Sequence, residues 1–171
     1  MIVSVCTTSI AIFISKSIAI YFSVSYICSD HANGTTAMNK RALSTLELDA
    51  WLEQACHEID GQPVLARASA TQQFRGDIEG TGQLEVLLTY HPDGSASSVG
   101  LERVVGRVGG RAGSFVLEHT GCVEDGVAKA QLAVVPGSGT HDLGGLRGRG
   151  WFVRPPGRAA SLTLEYEFME Q

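Results

Sequence analysis

Glu102 and His119 are the residues of this 171-residue chain whose types and spacing could do chemistry. A carboxylate beside an imidazole can move a proton near neutral pH, hold the polar end of a ligand, or satisfy itself as a buried structural pair. Both lie in VGLERVVGRVGGRAGSFVLEHTG, residues 99–121, which reads as two strands joined by a tight turn. Successive side chains of a strand point to opposite faces, so the register of a hairpin decides which of them meet. A two-residue turn at Gly110 and Arg111 predicts that Glu102 faces His119, Val104 faces Leu117 and Gly106 faces Phe115. Arg103 then faces Glu118 on the other side.

The turns on either side test that assignment. In His91-Pro92-Asp93-Gly94, Pro suits the first central position of a type I turn and Gly the bulge that needs a positive φ. This turn pairs Leu84 with Glu102, Val86 with Gly100 and Gly82 with Val104. Asp125-Gly126 is a two-residue turn that pairs His119 with Leu132, Leu117 with Val134 and Gly121 with Ala130. All three turns place the same apolar face, carrying Glu102 and His119, inside.

The remaining segments must enclose that face. Leu46, Leu48 and Ala50 alternate against Thr45, Glu47 and Asp49; Ala66, Ala68, Ala70 and Phe74 alternate against Arg67, Ser69, Thr71 and Gln73. Leu84, Val86, Leu88 and Tyr90 share one side of a third strand, and Leu162, Leu164, Tyr166 and Phe168 share one side of the last. EQACHEIDG, with His57, reads as a loop. The Gly-rich stretch from Pro136 to Gly150 reads as a loop with one helical turn started by Thr140 or Asp142, because no Lys-Ser/Thr pair or long helix follows to make a phosphate cradle. Roughly eight short strands at this spacing predict an all-β fold, an antiparallel closed barrel with room inside for side chains or one small ligand.

Composition narrows the function classes. A net charge of −5 argues against a grip on nucleic acid, which wants clustered Lys and Arg. Cys6, Cys28, Cys56 and Cys122 are widely spaced and fit no zinc pattern, so no metal is expected. P-loop, dinucleotide-binding, H-E-x-x-H and G-x-S-x-G motifs do not occur, and no cofactor is implied. Trp51 and Trp151 read as packing or rim residues. Residues 1–37 stand apart, with seven of the nine isoleucines. Lys16 is costly at the middle of a membrane span, and a basic n-region for a signal peptide is lacking. The reading preferred is a mis-assigned extension, with translation starting at Met38 and a single barrel domain over 38–171; an anchor or signal is the alternative. The first places the protein in the cytoplasm, the second in or across a membrane.

GDIEG at residues 76–80, HPDGSA at 91–96, the 99–121 hairpin and PGSGTHDLGGLRG occur in an order that resembles the domain of unknown function 3224 family of bacterial proteins. The resemblance covers about Leu43 to Phe168. It implies an eight-stranded, allene oxide cyclase-like barrel with an apolar interior and supplies no established activity. Glu118 stands where the family leads one to expect glutamine, which makes its pairing with Arg103 particular to this chain.

Three readings of the interior follow. In one the barrel holds a small apolar ligand, walled by Leu84, Val86, Phe115, Leu117, Leu132 and Phe168, with Tyr90 and Tyr166 as hydrogen-bond donors and Glu102 and His119 as a polar anchor. In another it is a cofactor-independent cyclase or isomerase in which Glu102 and His119 are catalytic. In the third the pair is structural and the barrel is full. Outside, Val99, Leu101, Val105 and Val116 make the hairpin apolar on both faces, so a homo-oligomer covering this sheet is expected.

Overall fold

Period-two alternation runs unbroken through most of the chain, and the computed structural model, which describes residues 40–60 and 62–169, turns it into eight strands. These are β1 (Lys40–Ile59), β2 (Gln62–Gly76), β3 (Ile78–Tyr90), β4 (Ala96–Val108), β5 (Arg111–Glu124), β6 (Val127–Val134), β7 (Leu146–Arg154) and β8 (Ala160–Phe168). Each pairs antiparallel with its sequence neighbour, and β8 pairs with β1 to close the barrel. Closure removes the exposed edge that an open sheet would leave. Among the described residues no helix is long and apolar enough to cross a membrane. The reading of residues 1–37 as an extension lies outside the described residues.

The registers set by the flanking turns are those observed: Leu84 pairs with Glu102, and His119 with Leu132. The central hairpin differs. Its turn is Gly109-Gly110, both with positive φ, so Val108 pairs with Arg111 and the partners slide by two residues. A two-residue turn of this type needs positive φ at both central positions, and two glycines provide it where Gly-Arg would strain the arginine. Glu102 therefore pairs with Leu117 and His119 with Gly100. A slip of two preserves the face of every side chain, so both residues still point inward. Arg103 sits opposite Val116 and Glu118 opposite Leu101, so the expected outward pair of Arg103 with Glu118 is not formed.

Two further elements depart from expectation. Asp49 is a bulge in β1: Leu48 pairs with Gln72 but Ala50 with Thr71. The extra residue reverses the alternation, turning Ala50 outward and Trp51 toward the barrel mouth. Past it β1 and β2 continue as a ribbon to Ile59 and Gln62, so His57 lies on an exposed strand and not in a loop.

β6 is short, and the Gly-rich segment completes the wall beyond it. Val135 N donates to Val116 O, Val116 N to Ser138 Oγ and Ser114 N to Thr140 Oγ1, each at 2.9–3.0 Å. Thr140 thus uses its hydroxyl on β5, and its side chain does not cap the 3₁₀ turn His141–Leu143 that follows. That turn drives Leu143 into the core with no exposed surface, beside Ile78, Val104, Val108, Phe115, Leu146 and Leu164. The segment also buries Ser114, whereas Leu87, Val99, Leu101 and Val105 remain exposed on the outer face.

Leu143 is therefore the plug of the closed end. Leu143→Ala should lower unfolding stability by about 2–5 kcal/mol through lost burial and a residual cavity, while the exposed Leu52→Ala should change it by less than about 0.5 kcal/mol. Urea denaturation of both variants checks this, and equal midpoints would contradict the assignment.

Candidate functional site

The inward side chains divide the barrel into two halves. Toward the Gly109 end they pack into a continuous apolar cluster. Toward the other end Ala70, Leu84, Val86, Leu88 and Tyr90 line an open cavity of about 560 Å³, with Ala68 buried against Val86 and Leu88. That volume falls within the range of small-molecule sites.

A polar layer separates the halves. Glu102 is fully buried on β4. Its Oε1 accepts from Gln72 Nε2 at 2.8 Å, and its Oε2 is 3.0 Å from His119 Nε2. A carboxylate only accepts, so Nε2 carries the imidazole proton. On the other side Gln72 Oε1 accepts from Arg154 Nη2 at 3.4 Å. Gln72, His119 and Arg154 reach the cavity surface, and Glu102 lies behind them.

Each member is placed by its strand. Gln72 continues the inward run of Ala66, Ala68 and Ala70 on β2, and Arg154 ends the inward run of Gly150 and Phe152 on β7. The Glu102 side chain crosses the face of β3 at Gly82. A Cβ there would stand 2.1 Å from Glu102 Oε1 and 2.7 Å from the Phe74 ring. Glycine at this position is what lets the carboxylate reach Gln72. Burial lowers the pKa of Arg154, whose guanidinium lies 5.6 Å above the Phe152 ring.

At the mouth, Glu53 on the β1 ribbon accepts from Trp51 Nε1 at 3.0 Å and from the Tyr90 hydroxyl at 2.5 Å. Burial first, and then the Glu53 carboxylate, push the Tyr90 pKa up to about 12. The bulge at Asp49 is what brings Trp51 and Glu53 to this side.

Of the residues expected from sequence to meet a ligand, His119, Tyr90, Leu84 and Val86 line the cavity. Phe115, Leu117, Leu132 and Tyr166 are buried in the packed cluster, with Phe168 against it at the far end. They share the inward face but lie on the other side of the polar layer. Gln72, Arg154 and Phe152 were missed, while Trp51, expected as a packing or rim residue, stands at the mouth. Gln72 and Arg154 announce themselves as polar residues at inward positions of otherwise apolar runs. Trp51 had no such signal, because its orientation depends on the bulge.

The arrangement can orient His119 as a proton donor or acceptor toward the cavity, with Glu102 fixing its tautomer. It can equally present hydrogen-bond donors to a bound molecule.

The family model described as a protein of unknown function (DUF3224) matches residues 42–166. The crystal structure of a protein with unknown function from that family, from Shewanella oneidensis MR-1, is similar to this chain with a TM-score of 0.67 and 29% sequence identity. The similarity covers 78% of this chain and 99% of that one. No curated protein matches the chain.

Two measurements test the geometry. Gly82→Ala should destabilise the protein, and the part of that cost due to the carboxylate should vanish in a Glu102→Ala background while the part due to the Phe74 ring remains, giving a coupling energy above about 1 kcal/mol in a double-mutant cycle; additive costs would mean that Gly82 makes no room for the carboxylate. Ultraviolet titration of the wild type against Tyr90→Phe should assign an ionisation near pH 12 to Tyr90. Since the folded pKa is raised above the ordinary 10.0, this tyrosine's contribution to stability is intact below pH 10.0 and is lost as pH climbs toward about 12. Glu53→Gln should lower the Tyr90 pKa yet leave it above 10.0, because burial is the larger cause.

Proposed function

The chain belongs to the family of proteins of unknown function DUF3224, and we propose that it holds a small, largely apolar molecule in the open half of its barrel. The observation that carries this reading is the cavity of about 560 Å³, with apolar walls ending on a floor of Gln72, His119 and Arg154. Specific sites combine such walls with a few converging polar groups. A barrel whose polar pair were purely structural would have no need of a cavity against that pair. The ligand enters past Trp51, Glu53 and Tyr90 and rests on Ala70, Leu84, Val86 and Phe152.

One observation also favours a cofactor-independent cyclase or isomerase: His119 meets the cavity while Glu102 orients it from behind. In that scheme proton transfer falls to His119, and Glu102 acts as its positioning residue.

The neutral dye N-phenyl-1-naphthylamine tests the ligand reading, since its fluorescence rises on entry into an apolar cavity. Saturable binding by the wild type, weakened at least tenfold by Ala70→Phe, is the expected result, with quenching of Trp51 as a second readout. Ala70 lines the cavity away from the packed cluster, so the variant should fold. Absence of saturable binding to the wild type would leave the barrel a structural one.

A further inference from the structure

Resting on the reading of the cavity as a ligand site, we propose that its ligand carries one carboxylate, held by Arg154 at the cavity floor. The charged groups around the cavity are mostly occupied. Lys129, on the rim, lies 3.9 Å from Glu124. Glu53 accepts from Tyr90 and Trp51, and both oxygens of Glu102 are taken by Gln72 and His119. Arg154 differs: among the described residues no carboxylate lies within 4.0 Å of its guanidinium. Its side-chain hydrogen-bond partner among the described residues is the neutral Gln72 amide, at 3.4 Å. A guanidinium carries five N–H donors, so most of this one's capacity is unspent by the protein's side chains.

Position makes that capacity relevant to a ligand. Arg154 is half-buried and, like His119, reaches the cavity surface, with its guanidinium carbon 5.6 Å from the centre of the Phe152 ring. A cation withdrawn from water without a counter-ion costs free energy, and an anion arriving in the cavity recovers it. Desolvation has already lowered its pKa, as expected of a cation lacking an acid beside it.

The chemistry of the site also limits the anion. A planar fork of N–H groups fits a carboxylate in two parallel hydrogen bonds. A doubly charged phosphate draws on several cations or a row of backbone N–H groups, and the floor offers one free cation among the described residues. With walls of Leu84, Val86, Leu88 and Phe152 receiving the rest of the molecule, the fitting class is an aliphatic or aromatic carboxylic acid, bound head-inward.

Competition with bound N-phenyl-1-naphthylamine tests this with decanoate and 1-decanol, which share a chain and differ in the head. Decanoate should displace the dye from the wild type at a concentration at least tenfold below that of decanol, the factor expected of one charge-assisted contact. Arg154→Gln should abolish that preference, so that decanoate and decanol displace the dye at similar concentrations, and Arg154→Lys should retain part of it. Equal displacement by the two competitors, or a preference that survives in Arg154→Gln, overturns the carboxylate assignment and leaves the ligand cavity standing. Failure of the dye to bind the wild type overturns both.

Discussion

The fully buried carboxylate of Glu102 is the constraint around which this barrel is arranged. An ion in an apolar interior is tolerated only when its lone pairs are met by donors. Here the donors come from both sides: Gln72 from β2, across β3, and His119 from the adjoining β5. A slip of one residue in either strand would turn its donor outward. The polar layer therefore specifies register as well as solvating a charge. Gly82 belongs to the same device, since only a missing side chain on the intervening strand lets the carboxylate pass.

That layer also sets where packing stops. Below it Phe115, Leu117, Leu164 and their neighbours fill the barrel, and the end is sealed by Leu143 and by the corner at Asp77, whose carboxylate accepts from Leu43 N at 2.9 Å. Above it the inward positions become small or distant, with Ala66, Ala68 and Ala70 on β2, and the barrel stays open. A closed half with interior packing can carry the stability of the domain, leaving the other half free to keep an unfilled cavity. A rigid cavity wall is the result, because the cavity residues below the rim stand on paired strands.

Much of this was legible in the residues. Alternation placed Ala66 to Phe74, Leu84 to Tyr90 and Leu162 to Phe168 on inward faces, and the turns at Pro92-Asp93-Gly94 and Asp125-Gly126 determined two registers. The Gly109-Gly110 turn was misplaced by one residue because GGR allows two placements, and the choice is made by which residues must take positive φ. Face assignments survived that error, since the slip was even. What alternation does not contain is depth along the barrel axis. Phe115, Leu117, Leu132, Tyr166 and Phe168 have the correct face and lie at the wrong level for the cavity. The bulge at Asp49 was likewise hidden, as an extra residue leaves no mark in a half-polar strand, and with it went the placement of Trp51. Gln72 and Arg154 were visible as polar breaks in apolar runs.

Those two residues explain how one layer holds an anion and a cation without cancelling both. Were Arg154 to reach Glu102 directly, the pair would neutralise itself and the cavity floor would offer little beyond its shape. Gln72 prevents this by standing between them, its nitrogen turned to the carboxylate and its oxygen to the guanidinium. A neutral amide serves each charge with the dipole of the right sign and transmits no proton or net charge between them. Glu102 is satisfied in the interior, and Arg154 keeps its charge at the surface of the cavity. The floor consequently faces the open half with donors from Arg154, backed by an acceptor, Glu102, that is buried behind it, an asymmetry that a simple buried ion pair cannot produce.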